Sequence, residues 1–252
     1  MGVFEYPLLA LAAFVAGAIN AVAGGGSLVS FPALVAAGYP SKVSNVTNTV
    51  ALWPGYVGGS IGYAAQLKNQ RRRIFVLTIP SVLGAIVGSA ILLTTSEKAF
   101  DQIVPFLILF AAGLMAGQPR LSAFVAHHRP QGAEGKTPIE LMAAVFVLAI
   151  YGAYFGAGLG IITLAVLGIL LPDDLHRSNA LKGLLSAIIN AAAVVYFAIW
   201  GPVEWLPAAV MAVAALAGGY LGVGVARKIS APRLRMAVIA YAIVVAVVLF
   251  LR

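Results

Sequence analysis

Two short glycine clusters hold the residues best suited to chemistry. Gly24, Gly25 and Gly26 interrupt one long apolar run and are followed by Ser27 and Ser30; Gly156, Gly158 and Gly160 interrupt another. Glycine tolerates the backbone angles of a sharp reversal. A helix that restarts after such a break exposes unpaired N–H groups and roughly half a positive charge, which favours an anion. Ser27 is of the type that caps a helix start, with the new helix expected near Leu28. Two such starts facing each other would cradle an anion without any charged side chain. Glycine also lets helices pack closely, the plain reading of Gly55/Gly59, Gly84/Gly88 and Gly218/Gly222. At 24–26 and 156–160 a functional role is favoured, because a broken backbone at membrane depth persists only around a cavity or buried protein.

Polar residues fall on one face of each helix that follows a break. Asn179, Lys182, Ser186 and Asn190 occupy a sector of about 80°, and Asn45, Asn48, Thr49, Tyr56 and Tyr63 one of about 100°, at ~100° per residue. In hydrocarbon such stripes should face a polar interior, as pathway lining or as glue between helices. Lys182 is either the cation for an anionic ligand or a side chain that snorkels to the surface. Asn20, just before the first break, and Ser30, just after it, add hydrogen-bonding groups at that tip. Several chemistries are absent. All eight acidic residues sit at span ends or in loops, leaving no buried carboxylate pair for a proton relay or a metal. His127 and His128 read as solvated, and Arg71, Arg72 and Arg73 as surface anchors. There is no HExxH, GxxxxGK[ST] or GxSxG motif and no Cys, so no catalytic residue, metal or cofactor is expected.

The elements that position these residues follow from composition. Of 252 residues, 62% are hydrophobic and 10% charged, against about 25% charged in a soluble domain. This is an all-α integral membrane protein. The net charge of +8 lies in clusters between apolar runs, which suits membrane-flanking loops and gives no reason to expect nucleic acid. Apolar runs cover 5–38, 46–66, 72–93, 100–117, 139–171, 178–199, 204–225 and 233–251. A single span needs about 20 residues, so 5–38 and 139–171 are too long for one crossing. Each is read as a glycine-broken helical hairpin with a short second leg, near 27–38 and 161–171. The distribution of basic residues supports this. With single crossings they divide evenly between the two sides; with hairpins, all 16 but Lys42, Lys98 and Arg252 fall on one side. Both termini are then expected outside. Ala21-Val22-Ala23 mimics a signal-peptide cleavage site, but the segment before it lacks Lys and Arg, so it is kept as a hairpin leg.

A shift of 134 residues lays Gly24 on Gly158, Asn20 on Tyr154, Ser44-Asn45 on Ser178-Asn179 and Asn48 on Lys182. The expectation is a first repeat over 1–117, a cytoplasmic linker over 118–138 and a second repeat over 139–252. A hairpin plus three spans makes an odd number of crossings, so the repeats would be inverted, an arrangement recurrent in secondary transporters.

The segment from Ala23 through Gly24-Gly25-Gly26-Ser27-Leu28-Val29-Ser30-Phe31-Pro32, with Lys42-Val43-Ser44-Asn45-Val46-Thr47-Asn48, resembles the sulfite exporter TauE/SafE family. Gly156-Ala157-Gly158-Leu159-Gly160, with Arg177-Ser178-Asn179-Ala180 and Lys182, resembles that family's second repeat. The resemblance implies a bacterial inner-membrane exporter of sulfite, organosulfonates or other small anions. The expected function is a secondary transporter working by alternating access where the two hairpin tips meet. Its expected site is Asn20, Gly24, Gly25, Gly26, Ser27, Ser30, Asn45, Asn48, Gly158, Gly160, Asn179, Lys182, Ser186 and Asn190. The expected partners are the anion, the lipid bilayer and, as an open option, a second copy in a homodimer. An anion channel and a non-transporting membrane scaffold remain as alternatives.

Overall fold

A computed structural model describes residues 5–22, 24–62, 64–127, 137–173, 175–226 and 231–251, and among these it is helical with no strand. Ala23, Tyr63, Asp174 and residues 128–136 of the linker expected over 118–138, His128 among them, lie outside the described residues. Helix α1 (Glu5–Val22) and half-helix α2 (Ser27–Ala36) form the first hairpin. Helix α3 (Ser41–Gly62) leads through a short α4 (Ala64–Leu67) and one 3-10 turn to α5 (Arg71–Thr94) and α6 (Glu97–His127). The second half repeats the order with α7 (Ile139–Tyr154), half-helix α8 (Leu159–Leu170), α9 (Leu175–Trp200), α10 (Trp205–Ala226) and α11 (Ala231–Phe250). Both long apolar runs are therefore broken helices.

Two boundaries differ from the sequence reading, each for a packing reason. Helix α6 runs ten residues beyond 117 into the segment read as linker, carrying Pro119 inside it. Its extension is held by Val125, which is buried against the bare face of Gly168 on α8. Helix α3 starts at Ser41 because its polar first turn is anchored. Lys42 Nζ donates to the carbonyl of Thr95 at 2.9 Å and lies 3.7 Å from Glu97, placing a cation at the C-terminus of α5.

The halves interlock by exchange. Hairpin helix α1 packs along α10, and α7 packs along α5 in the same way; α3 meets α10 as α9 meets α5. Helices α3 and α9 also touch, as do α6 and α11. Glycine sets the depth of the exchanged contacts. A Cβ on Gly84 would fall 2.4 Å from the Phe146 carbonyl oxygen, and one on Gly218, its counterpart at the 134-residue shift, 2.0 Å from that of Phe14. Any larger residue would force the helices apart.

The helical stretches Arg71–Thr94, Glu97–Val125 and Arg177–Trp200 are long and apolar enough to cross a membrane. Phe75, Ile79 and Leu83 on α5 and Val213, Leu216 and Tyr220 on α10 stand exposed, a surface that suits lipid and not water.

One polar junction departs from the sequence reading. Arg73 is 6% exposed, not a surface anchor, and its Nη1 pairs with Oδ2 of Asp173, which is 2% exposed. Arg177 Nη1 approaches Asp173 Oδ1 at 3.7 Å, and Gln70 accepts from Arg73 Nη1 at 3.3 Å while its Nε2 donates to the Arg177 carbonyl at 3.2 Å. This network joins the start of α5 to the start of α9, and so one half to the other. Arg73→Ala leaves a buried carboxylate without its main partner and should cost about 3–5 kcal/mol, against less than ~0.5 kcal/mol for the exposed Arg71→Ala. Unfolding midpoints of the two variants in detergent measure the difference.

Candidate functional site

The first break begins where α1 runs out. The Gly24 amide donates back to the Ile19 carbonyl at 3.0 Å, and Gly24 and Gly25 take φ of +74° and +93°, the left-handed region that glycine enters without a Cβ clash. Gly26 occupies the cap position of α2 and Ser27 is its first helical residue, one place earlier than expected. The cap is supplied from α1: Asn20 Oδ1 accepts from the Gly26 amide at 2.7 Å. Among the described residues the amides of Gly25 and Ser27 meet no acceptor.

The second break is built differently. The amides of Phe155 and Gly156 both donate to the Tyr151 carbonyl, closing the end of α7, while Gly156 and Gly158 take φ of +76° and +78°. Gly158 caps α8, and the Tyr151 hydroxyl donates to the Ala157 carbonyl at 2.5 Å. Each break thus brings together a carbonyl end and an amide end, whose partial charges oppose. The carbonyl end of α7 is covered from the other half, where Asn45 Nδ2 donates to the Tyr154 carbonyl at 2.8 Å.

The two tips meet. A Cβ on Gly24 would lie 3.8 Å from the Ile161 side chain and 3.9 Å from the Gly160 Cα. Beside them is a cavity of about 50 Å³. Asn20, Gly24 and Gly25 line it from the first hairpin, and Gly156 and Gly160 from the second. Helix α9 contributes Asn179, Lys182, Gly183 and Ser186, and α3 contributes Gly55, Tyr56 and Ser60. Helices α3 and α9 are tied beside it by Trp53 Nε1, which donates to the Ala187 carbonyl at 3.2 Å across the 134-residue repeat shift. Lys182 runs along the second break, its Cδ 3.6 Å from where a Cβ on Gly160 would be. No hydrogen bond or ion pair holds it among the described residues.

Seven of the expected site residues line the cavity: Asn20, Gly24, Gly25, Gly160, Asn179, Lys182 and Ser186. The other seven lie outside its lining, and their bonds show why. Ser30 donates to Asn48 Oδ1, and Asn45 covers the end of α7, so these three are committed to the frame. Asn190 Nδ2 bonds the Ser186 carbonyl in its own helix. Gly26 is occupied by Asn20, Ser27 is buried inside α2, and Gly158 faces Ala111 and Leu114 of α6. The expected set omitted Gly55, Tyr56, Ser60, Gly156 and Gly183. Tyr56 stands in the polar stripe already noted and Ser60 one turn beyond it; Gly183 offers no signal beyond its place beside Lys182.

Hydrogen-bonding side chains and one cation converge here, and among the described residues none that lines the cavity is acidic. A water needs roughly 10–15 Å³ of such space, so the cavity takes a few waters or one compact solute. These features define an all-helical integral membrane protein with a small cavity, lined by polar side chains and glycine, between two interlocked halves. The chain belongs to the sulfite exporter TauE/SafE family, whose model matches residues 9–249. It is similar to a probable membrane transporter protein of Haemophilus influenzae, 27% identical over 222 residues covering 88% of this chain and 85% of that one. Similar relatives are the probable membrane transporter proteins ORF9 of a Sinorhizobium species and YfcA of Escherichia coli K12. Each is 26% identical over 85% of this chain and covers 80% and 78% of its own length respectively. The protein is a membrane transporter and not an enzyme.

Asn45→Leu strands the Tyr154 carbonyl in an apolar setting, which should cost ~1–3 kcal/mol. A lowered thermal midpoint in detergent is the expected reading.

Proposed function

We propose that the protein is a secondary transporter that exports a small anion of the sulfite or organosulfonate class. The observation that carries this reading is Lys182, a cation with no hydrogen-bond or ion-pair partner among the described residues, lying along one broken helix in a cavity that the other broken helix also lines. The substrate would rest against the Gly25 amide, Asn20, Asn179, Ser186 and Lys182. Asn45, Asn48 and Ser30 would hold the tips in register, and Tyr56 and Ser60 would complete the wall. The exchanged packing of the halves fits inverted repeats that rock against each other, exposing the midplane site to one side at a time. Each negative charge leaving an inside-negative cell gains about 2.3 kcal/mol per 100 mV, so export needs no buried carboxylate relay.

Purified protein in liposomes loaded with methanesulfonate or sulfite should show saturable counterflow. Lys182→Ala should lower uptake at subsaturating anion by about tenfold or more, the loss expected when a charged hydrogen-bond partner is removed. Flux that never saturates and shows no counterflow would mark a channel; no flux for any small anion would mark a non-transporting protein.

The orientation follows from the basic loops, with the loop around 67–73 cytoplasmic and both termini outside. The chain has no Cys, and Lys68 is exposed. Lys68→Cys should therefore react with an impermeant thiol reagent in inside-out vesicles and stay unreactive in intact cells. The opposite pattern reverses the orientation.

A further inference from the structure

The proposed site also carries information on the charge of its ligand. Among the described residues Lys182 is the one cation that lines the cavity, and the remaining lining is Asn, Ser, Tyr and Gly. The other polar side chains that line it are neutral: Asn20 on α1, Tyr56 and Ser60 on α3, Asn179 and Ser186 on α9. The Arg73–Asp173–Arg177 cluster at the start of α9 does not line the cavity.

The helix ends contribute less than two bare N-termini would. At each tip a carbonyl end meets an amide end, so their partial charges oppose. On the first tip the Gly26 amide is already taken by Asn20 Oδ1. On the second, Gly158 faces α6 and leaves Gly160 as the lining position of that start. The net formal charge available to a ligand is therefore that of Lys182 alone. A charge removed from water into a weakly polar interior is strongly disfavoured unless it is paired. One cation pairs one negative charge; a second is left with dipoles only.

We infer that the cavity is matched to a single negative charge: it takes a compact oxyanion in monovalent form, with Lys182 as its one full counter-charge, and rejects divalent anions of similar size. This deepens the anion-transporter reading and rests on it. With a monovalent passenger the loaded site is electrically neutral, and the empty one carries the charge of Lys182.

Methanesulfonate and sulfate test this, being similar in size and fixed at one and two negative charges. Thermal unfolding of the purified protein in detergent is followed against each anion at constant ionic strength. Methanesulfonate should stabilise the protein at a concentration about tenfold or more below that needed with sulfate, the ratio set by one unpaired charge. Lys182→Gln should remove the methanesulfonate shift, and Lys182→Arg, which keeps the charge, should retain the preference for one charge over two. Sulfate binding as well as or better than methanesulfonate overturns the charge match but leaves the anion reading standing. A Lys182→Gln variant that keeps the wild-type ratio also overturns it. If neither anion shifts unfolding and neither shows counterflow, the anion reading falls too.

Discussion

A peptide group in hydrocarbon finds no water to bond, so every amide and carbonyl must be satisfied by protein or by something the protein holds. Two helices of this chain break where they are surrounded by other helices, and the structure is arranged to meet that demand. At the first break Asn20 reaches forward six residues to the Gly26 amide. At the second, Tyr151 serves with both its carbonyl and its hydroxyl, and Asn45 arrives from the other half to cover Tyr154. What these bonds leave over is a small number of donors facing one space. A break that costs hydrogen bonds becomes tolerable where the missing partner can be a solute.

The same demand explains why the halves are interleaved. A half-helix cannot cross the membrane, so its tip must be enclosed by neighbours on all sides. Each hairpin's long leg is packed along a helix of the opposite half, α1 on α10 and α7 on α5, with glycines such as Gly84 and Gly218 bringing the backbones together. The two tips are thereby brought against each other. Helices α3 and α9, joined through Trp53, supply the side walls and most of the polar side chains.

Much of this was legible in the sequence because the signals are local. Run length and glycine position mark a hairpin when 34 apolar residues cannot be one span. Spacing on α9 singles out Asn179, Lys182, Ser186 and Asn190 as one face; the first three line the cavity, while Asn190 bonds back to the Ser186 carbonyl. The rest depends on partners far away in the chain. Asn45 and Asn179 are related by the 134-residue shift, yet Asn45 donates to a carbonyl 109 residues on while Asn179 lines the cavity. Nothing in the type or spacing of either residue distinguishes them. Arg73 looks like its exposed neighbours Arg71 and Arg72 until Asp173 is brought to it from 100 residues away. The continuation of α6 past Pro119 likewise rests on a bare glycine face on α8, which local composition does not reveal.

In the proposed function the meeting point of the two breaks is a hydrated pocket that an anion can fill. Ser186 lies on its wall and the chain contains no native Cys, so Ser186→Cys places one thiol there at almost no change in size. The rate at which a small, water-soluble thiol reagent modifies that residue in purified protein reads the pocket directly. The thiol should react, and methanesulfonate should slow the reaction in a saturable manner. A thiol that never reacts, or reacts at the same rate with and without every small anion offered, would contradict the proposed function.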